Sequence, residues 1–423
     1  MIRIAFYGNL CNNLFQICCG LRNFSSVDAH LFIDGGLGDL QQMPENDDHQ
    51  LKRGYPHWIH PIPSTDPVKL LLAPWRAPLL KHLDNFDALV VSGYGPMLAQ
   101  FTRIPSFFLT AGGDLTQWPF PFRYPRLYPA WRHRLGQVFR GLWQRRGIRH
   151  CEEVWTQPFG PFQNALEHLS IAREKISLQY FPLMLDTQKF SLLPLENLSG
   201  QARWLRLAHD FVIFHPSRLM ILDDKERQHT GDWKANDRLI RGFAKFRRQT
   251  PHLRSVLALI HRPASRDMQI ARELIRQLQI EDGVVWLRPT RSFGFSREEL
   301  VELYSASDVV ADDFGAGWFG SIVVEALSIG RPVVTYVDEQ VMSQLYPYHP
   351  LVNARLPDEI AAALVHLSQQ PHLRQELGLK GRQWVEEFHS YDGAGKIYSR
   401  RFDELAHRLG RLKKVTQPPF KAQ

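Results

Sequence analysis

Short apolar runs alternate along this chain with segments whose apolar residues recur at helical spacing. The runs cover residues 2–7, 88–92, 106–110, 211–214, 255–260, 284–287, 309–311 and 332–337, and the helical segments include 239–246, 270–278 and 300–304. Strands that are apolar along their whole length are typical of parallel sheets whose two faces are covered by crossover helices. The alternation therefore predicts an α/β fold with parallel sheets.

The length of the chain predicts more than one domain. It has 423 residues, whereas a single domain usually holds about 100–200. Pro194, Gly200 and scattered polar residues break the pattern before a new strand begins at Phe211. The predicted units are a first Rossmann-like domain at 1–190, a second at 205–390, and a helical tail at 391–423 that packs back on the first domain. Ligands of such sheets bind beyond the carboxyl ends of the strands, so we expect a cleft between two facing domains.

The composition of the chain excludes several classes of protein and favours anionic partners. Hydrophobic residues make up 44% and charged residues 22%, which excludes a disordered, collagen-like or coiled-coil chain. Lys and Arg number 51 against 43 Asp and Glu, a formal net charge of +8. That balance suits an anionic partner such as a phosphate, an acidic lipid surface or nucleic acid.

The cysteines and the hydropathy pattern predict a cytoplasmic protein. The four cysteines are Cys11, Cys18, Cys19 and Cys151, and none belongs to a C-x-x-C pair. Neither a zinc site nor a disulfide framework is therefore predicted, which fits a reducing compartment. No run approaches the roughly 18 apolar residues of a membrane span.

A glycine-rich loop at residues 312–320 stands between a predicted strand and a predicted helix. Its glycines let the backbone approach a ligand closely. The helix that begins near Ser321 offers unpaired N–H groups and the positive end of its dipole, a combination that suits a phosphate. We expect a diphosphate to bind here. The candidate donor-binding residues are Gly317, Trp318, Phe319, Gly320, Ser321 and Glu325.

Glu325 lies one turn inside that otherwise apolar helix. Burying a carboxylate without a partner costs several kcal/mol, so we expect Glu325 to have one. A ribose diol is one candidate, because a carboxylate can accept hydrogen bonds from both hydroxyls, as acidic residues do in dinucleotide sites. The alternative is a structural ion pair with a nearby arginine such as Arg331.

The residues from 325 to 334 read EALSIGRPVV, and this segment resembles the donor-binding motif of the retaining glycosyltransferases of family 4. The resemblance implies a GT-B fold, in which two Rossmann-like domains face one another, and a nucleotide-sugar donor with no metal or other cofactor. Gly317 stands eight positions before Glu325, where the family usually has a first glutamate. By this resemblance, either Asp312 or Asp313 substitutes for that glutamate, or only the backbone N–H groups of residues 317–320 meet the sugar.

Two cations match the places where the family neutralises the donor pyrophosphate. Arg218 follows the strand at 211–214, and Lys234 opens a helix. Charge builds on the leaving phosphate as the glycosidic bond breaks, so fixed cations there lower the barrier. The resemblance makes Arg218 and Lys234 candidate catalytic residues, with Lys225 as the alternative lysine. A solvated surface charge is the competing interpretation of each.

The first half contributes two further candidates. Gly8 follows the opening strand, and the family has a glycine-containing loop there that lines the cleft, so we assign Gly8 to donor binding. Asp114 follows the strand at 106–110 and is a candidate catalytic residue. It either orients an acceptor hydroxyl or caps the segment that follows it. In the front-face route often proposed for such enzymes, the departing phosphate oxygen takes the acceptor proton and no protein base is required.

A basic helix is predicted at residues 131–148. Its apolar residues recur at helical spacing and its arginines fill the positions between them. Such a helix either docks on anionic lipid headgroups or packs against the core with a solvated basic face.

The predicted function is transfer of a sugar, with retention, from a nucleotide-diphosphate sugar to a hydroxyl of a glycan or lipid-linked glycan, as in polysaccharide or cell-envelope biosynthesis. The expected location is the cytoplasm, with peripheral contact at the inner face of the membrane. Two alternatives stay open. One is a sugar-nucleotide epimerase of the same fold, and the other is a basic nucleic-acid-binding protein. The recognition motifs of nucleic-acid-binding proteins are absent from the sequence, so nucleic acid is not an expected partner.

Overall fold

A computed structural model describes residues 2–24, 27–34, 43–63, 72–121, 131–178, 183–223, 225–290 and 294–416. These residues cluster into two compact units. The first unit lies within Met1–Gln157, Asn164–Met184 and Ser390–Gln423, and the second lies within Pro158–Gln163 and Leu185–His389.

Within the described residues, seven parallel strands form the sheet of the first unit. They are β1 (Arg3–Tyr7), β2 (Asp28–Asp34), β3 (Ile59–Ile62), β4 (Ala88–Val91), β5 (Ser106–Leu109), β6 (Glu153–Thr156) and β7 (Ile176–Leu178), in the spatial order β3-β2-β1-β4-β5-β6-β7. Every paired strand runs parallel to its neighbour. Four of the strands are buried along nearly their whole length, as the continuous apolar runs predict.

The sheet of the second unit has six parallel strands among the described residues. They are β8 (Phe211–His215), β9 (Ser255–Ile260), β10 (Val284–Leu287), β11 (Val309–Ala311), β12 (Val333–Thr335) and β13 (Val352–Asn353), in the order β10-β9-β8-β11-β12-β13. All pairs are again parallel. The predicted α/β class with parallel sheets is confirmed.

Helices connect these strands. The α-helices are α1 (Asn13–Phe24), α2 (Gly95–Ala99), α3 (Gly113–Thr116), α4 (Trp131–His150), α5 (Gly160–His168), α6 (Gly200–Ala208), α7 (Lys225–Thr230), α8 (Asn236–Gln249), α9 (Arg266–Gln277), α10 (Arg297–Ala306), α11 (Ser321–Ser328), α12 (Glu339–Met342), α13 (Pro357–Gln369), α14 (Pro371–Phe388) and α15 (Tyr391–Thr416). Short 3₁₀ turns lie at Leu10–Asn12, Pro44–Asn46, His49–Arg53, Pro74–Arg76, Pro78–Asn85, Arg173–Lys175, Leu195–Asn197 and Glu281–Gly283.

The last helix, α15, packs on the sheet of the first unit. The ring of Phe402 lies edge-on between Phe6 and Trp155, with centroid separations of 5.9 Å and 5.7 Å. Glu153 on β6 is nearly buried, and Arg401 and Arg408 of α15 both form ion pairs with its carboxylate. Apolar contact and neutralised charge therefore tie the helix to this sheet.

Candidate active site

Three neighbouring strands of the second sheet end at one edge. β8 ends at His215, β9 at Ile260 and β11 at Ala311, and β8 lies between the other two. Because all three run parallel, the residues that follow them share the carboxyl edge, where ligands of such sheets bind. The segments that follow β8 and β11 carry Arg218 and the glycine loop, and α8 begins nearby.

A buried histidine fixes the segment that carries Arg218. His215 Nδ1 donates to the carbonyl of Ala311 at 2.8 Å, and its Nε2 accepts from Asn236 Nδ2 at 2.9 Å. Asn236 Oδ1 in turn accepts from the backbone N–H of Met220 at 2.6 Å. This arrangement requires the neutral imidazole, because Nε2 must accept. Burial lowers the pKa of His215 to about 4, in keeping with that form.

Asp267 anchors the other end of the same segment. One of its carboxylate oxygens accepts from the backbone N–H groups of Ile221 and Leu222, at 2.8 Å and 3.0 Å. Both oxygens accept from Arg227, each at 2.8 Å. The loop around Arg218 is therefore held from two sides. Sequence reasoning missed Asn236 and Asp267, because neither belongs to a motif and both act through long-range contacts.

Lys234 is paired inside the protein. Its ammonium lies 3.2 Å from the carboxylate of Asp313 and 3.8 Å from that of Asp312, and Ser217 also donates to Asp312. Burial opposes the charge of Lys234, but the two carboxylates outweigh it and raise the pKa of the ammonium. Two negative charges thus surround this predicted catalytic cation. Asp312 and Asp313, the candidate substitutes for the family glutamate, have Lys234 as their common partner.

Arg218 is exposed and makes neither an ion pair nor a hydrogen bond with any residue that the structure describes. It therefore presents a full positive charge from a fixed loop at the carboxyl edge. Lys225, the alternative lysine, begins α7 and is exposed to solvent.

The glycine loop is shaped by backbone contacts. Gly317 has a φ of +80°, a conformation that favours glycine, and its carbonyl accepts from Asp338 N at 2.9 Å. Asp313 accepts from the N–H groups of Gly315 and Ala316, each at 2.9 Å. Those two N–H groups are therefore occupied within the loop. The N–H groups that the family resemblance assigns to the sugar are those of residues 317–320, and that contact stays a prediction.

The helix α11 begins at Ser321, as predicted, and Gly320 and Ser321 are both exposed. Among the described residues, no side chain caps this helix start. Trp318 is half-buried and stacks on Phe319 at 4.9 Å between ring centroids. Phe319 is buried and packs edge-on against Trp384 at 5.7 Å. The Phe319 side chain therefore belongs to the core, and only its backbone can meet a ligand.

Glu325 has internal partners. Its carboxylate is only 2% exposed, forms an ion pair with Arg297, and accepts from Tyr304 Oη at 2.9 Å. The alternative of a structural ion pair with an arginine is therefore confirmed. The arginine is Arg297 rather than Arg331, which donates instead to the carbonyls of Tyr304 and Ser305. Burial of this carboxylate therefore does not require a bound ribose. Ribose binding by Glu325 stays a prediction that rests on the family motif.

The two candidates of the first unit hold its loops together. Gly8 has a φ of +93°, and a Cβ there would lie 1.9 Å from the carbonyl oxygen of Ser92. Asp114 is completely buried and accepts from the N–H groups of Gly93 at 3.0 Å and Gly112 at 2.9 Å. Burial raises the pKa of Asp114 to about 6. The capping alternative is wrong, because Asp114 lies inside α3, whose start has no side-chain cap, and its carboxylate accepts from N–H groups that precede it. Orientation of an acceptor hydroxyl by Asp114 stays a prediction.

An aromatic stack lies beside these loops and was missed by sequence reasoning. Tyr94 follows β4, and its ring stacks on Trp118 with a centroid separation of 3.9 Å and an interplanar angle of 13°. Arg140 lies over the same tyrosine ring at 5.4 Å. Both rings are half-buried. The available signal was an aromatic residue directly after a strand of the predicted parallel sheet.

Comparison with known proteins relates part of the second unit to a known family. Residues 230–384, less than half of the chain, match the family described as glycosyl transferases group 1. This part of the chain is similar to that family. It contains Lys234, the glycine loop and Glu325.

Curated relatives and solved structures extend the comparison. The chain is 30% identical over 168 residues to a D-inositol 3-phosphate glycosyltransferase of Kribbella flavida, and the match spans 37% of this chain and 37% of the relative. The Anabaena protein HepE, solved with UDP and glucose, has a TM-score of 0.62 at 18% identity, covering 96% of this chain and 100% of its own. A sucrose-phosphate synthase from Thermosynechococcus elongatus has a TM-score of 0.63 at 15% identity, covering 96% and 100%. The GT-B class of fold is thereby confirmed.

Two features are absent from the described residues. No set of three or more His, Cys, Asp or Glu side chains there is arranged to hold a metal ion. No helix in the described part of the chain has the length and apolarity needed to cross a bilayer.

We expect the stability of the second unit to fall as the pH is lowered from about 6.5, the ordinary histidine pKa, towards about 4. The unfolded chain protonates His215 first, because burial lowers the pKa of the folded imidazole to about 4. Stability is therefore complete above the higher value and decreases below it, by on the order of 3 kcal/mol in total. Hydrogen exchange of β8 amides at a series of pH values measures the effect.

Two variants control the pH experiment. His215→Gln should flatten this part of the pH dependence, because it removes the titrating ring. His252→Gln, which replaces an exposed histidine, should leave it unchanged. If the His215 and His252 variants show the same pH dependence, His215 does not control it.

Proposed function

We propose that the chain is a retaining, metal-independent glycosyltransferase of family 4 that moves a hexosyl group from a nucleotide-diphosphate sugar to a hydroxyl. The observation that carries the proposal is Arg218, a cation with no partner among the described residues, fixed at the carboxyl edge of the second sheet, shortly before the residues that match the group 1 family. The names of the relatives support this class of reaction. Kribbella flavida has a D-inositol 3-phosphate glycosyltransferase, and HepE was solved with UDP and glucose.

The residues of the second unit supply the chemistry that donor cleavage needs. When the bond between the sugar and the diphosphate breaks, negative charge grows on the leaving phosphate. Arg218 can stabilise that charge directly, and the exposed start of α11 at Ser321 adds N–H groups and the helix dipole. Lys234 stabilises the leaving phosphate less than Arg218 does, because two carboxylates lie beside its ammonium and offset its charge.

The acceptor hydroxyl then attacks the anomeric carbon and loses its proton. Asp114 is enclosed by backbone N–H groups, so it is a poor candidate for the base. We therefore favour the route in which an oxygen of the departing diphosphate takes the proton. This route keeps the new bond on the face from which the diphosphate leaves, and the anomeric configuration is retained.

The proposed acceptor is a glycan or a lipid-linked glycan, as in polysaccharide or cell-envelope biosynthesis. The stack of Tyr94 and Trp118 supports a sugar acceptor. It lies beyond the carboxyl ends of β4 and β5, where ligands of parallel sheets bind. Apolar faces of sugar rings pack well on half-buried aromatic rings, whose bodies are apolar.

We also propose peripheral contact with an anionic membrane from the cytoplasmic side. The apolar residues of α4 do not all pack inward, since Phe139 and Leu142 are 50% and 56% exposed. Trp143 lies on the same face and carries Arg146 over its ring at 5.8 Å. Exposed apolar side chains beside arginines are typical of surfaces that dock on acidic headgroups.

Vesicle flotation tests this membrane contact. We expect the wild type to bind vesicles of phosphatidylglycerol in preference to phosphatidylcholine. The double variant Phe139→Ser, Leu142→Ser should weaken binding by about tenfold or more, because each exposed apolar side chain contributes about 1.5–3 kcal/mol when buried. Leu207→Ser, at a residue of α6 that is 58% exposed, is the matched control. Equal binding by all three proteins would contradict the proposal.

Product analysis tests the proposed reaction. UDP-sugars and GDP-sugars are supplied with and without glycan and lipid extracts, and released nucleoside diphosphate and the anomeric configuration of the product are measured. We expect diphosphate release to depend on an acceptor and the configuration to be kept. Conversion of the nucleotide sugar into another nucleotide sugar without acceptor would indicate the epimerase instead. Inversion of the anomeric centre would contradict the retaining mechanism.

A further inference from the structure

A second arginine lies at the same edge as Arg218. Arg262 follows β9 by two residues, and β9 pairs directly with β8 up to the contact between His215 and Leu259. The Arg262 Nε is buried and has no hydrogen-bond partner within the described residues. A buried guanidinium N–H that donates to nothing is costly. An anion that accepts from it would remove that cost.

The charges around Arg262 show that it shares one region with the other cations. Burial, and after it the positive charge of Arg218, lowers the pKa of Arg262. The positive charge of Arg218 also opposes protonation of Lys234. The positive charges of Lys234 and Arg262 both act to lower the pKa of His215. Like charges are thus gathered around the end of β8. Asp312 and Asp313 lie there as well, so the three cations face two carboxylates and one positive charge is in excess. A bound anion would offset that excess.

The carboxylates nearby do not neutralise the arginines. Asp312 and Asp313 pair with Lys234. Arg218 and Arg262 form no ion pair with any residue that the structure describes. The cations at this edge that have no ion-pair partner among the described residues are therefore Arg218 and Arg262. The family motif indicates Arg218 and Lys234 instead.

We propose that Arg262 is a phosphate-binding residue that acts with Arg218 to hold the two phosphates of the donor. This inference rests on the proposed function and adds a residue to it. Guanidinium groups bind phosphate through paired N–H donors of fixed geometry. Two of them suit a diphosphate, because each guanidinium can bind one phosphate group, whereas a monophosphate offers a single phosphate group and less negative charge. The site should therefore discriminate between nucleoside diphosphates and monophosphates.

Calorimetric titration of the full chain tests the proposal, with UDP, GDP, UMP and inorganic pyrophosphate as probes. The variants are Arg262→Gln, Arg262→Lys, and Arg266→Gln as a matched control that removes an exposed arginine four residues away. We expect Arg262→Gln to weaken diphosphate and pyrophosphate binding by about tenfold to about a hundredfold and UMP binding by less. The diphosphate affinity of Arg262→Lys should lie between those of the wild type and Arg262→Gln. The affinity of Arg266→Gln should equal that of the wild type.

Thermal unfolding without ligand separates binding from folding. Arg262→Gln should not lower the midpoint, because it removes an unpaired buried charge, yet it should reduce the rise in midpoint that UDP or GDP produces. Equal diphosphate affinity in the wild type and Arg262→Gln would overturn the role of Arg262 and leave the proposed function intact. Pyrophosphate binding that needs Arg262, without any nucleotide binding, would support the anion site and overturn the nucleotide-sugar function. Failure of the wild type to bind any probe would overturn both.

Discussion

Replacing Lys234 with alanine is expected to lower the free energy of unfolding of the second unit by about 3–5 kcal/mol. The variant leaves Asp312 and Asp313 nearly buried, with exposures of 1% and 4%, and removes the cation that lies 3.2 Å and 3.8 Å from their carboxylates. Burial already raises the pKa of Asp313 despite the opposing charge of Lys234. Without the lysine, the two nearly buried carboxylates would lose the cation that forms ion pairs with both of them.

Hydrogen exchange of the β8 and β11 amides measures this effect in the unit concerned. The matched control is Lys245→Ala. Lys245 lies on α8 and forms an ion pair with Asp358 at 2.5 Å, but the two side chains are 40% and 82% exposed. An exposed pair contributes about 1 kcal/mol or less, so this control should remain close to the wild type. Similar protection in both variants would show that Lys234 is not required to neutralise the aspartates.

Replacing Gly8 with alanine is expected to destabilise the first unit by on the order of 3 kcal/mol or more. The added Cβ would lie 1.9 Å from the Ser92 carbonyl oxygen, and the φ of +93° is unfavourable for any other residue. The obstacle is backbone, so β1 and β4 must move apart to admit the methyl group. Donor binding by Gly8 would then be lost indirectly, together with the geometry of both loops.

The variant Gly54→Ala separates the cost of an unfavourable backbone conformation from the cost of atomic overlap. Gly54 has a φ of +145°, and nothing lies within 4 Å of the Cβ that alanine would add there. Gly54→Ala therefore introduces an unfavourable backbone conformation without an overlap, and we expect a loss of about 1 kcal/mol. Hydrogen-exchange protection of the β1 and β4 amides is measured in both Gly8→Ala and Gly54→Ala. If Gly8→Ala loses no more protection than Gly54→Ala, the close approach to Ser92 is not what constrains Gly8.

The parts of the second unit that the sequence predicts are those with local signals. The apolar run at 309–311 forms β11, and the helix predicted near Ser321 begins at that residue. Strand burial, glycine conformation and helix starts depend on neighbours along the chain, so a single sequence contains them. The match between residues 325–334 and the family motif is also a local signal, because the motif is continuous in the sequence.

The partners of buried charges could not be predicted, because they come from distant positions. Glu325 is bound by Arg297 and Tyr304, which lie 28 and 21 residues away along the chain. The importance of Arg262 depends on the pairing of β9 with β8. Asp114 is enclosed by loops that follow two different strands. In each case the sequence shows that a charge needs a partner, and only the sheet order shows which partner it has.

Titration of UDP and GDP into the wild type and Arg218→Ala tests most directly whether the carboxyl edge of the second sheet binds a nucleoside diphosphate. Arg218 is exposed, so its removal should leave the unfolding midpoint unchanged. We expect one of the two nucleotides to bind the wild type saturably and the variant at least about tenfold more weakly, the loss expected for a hydrogen-bonded charge. Saturable binding of equal strength in both proteins, or of neither nucleotide to the wild type, would contradict the account.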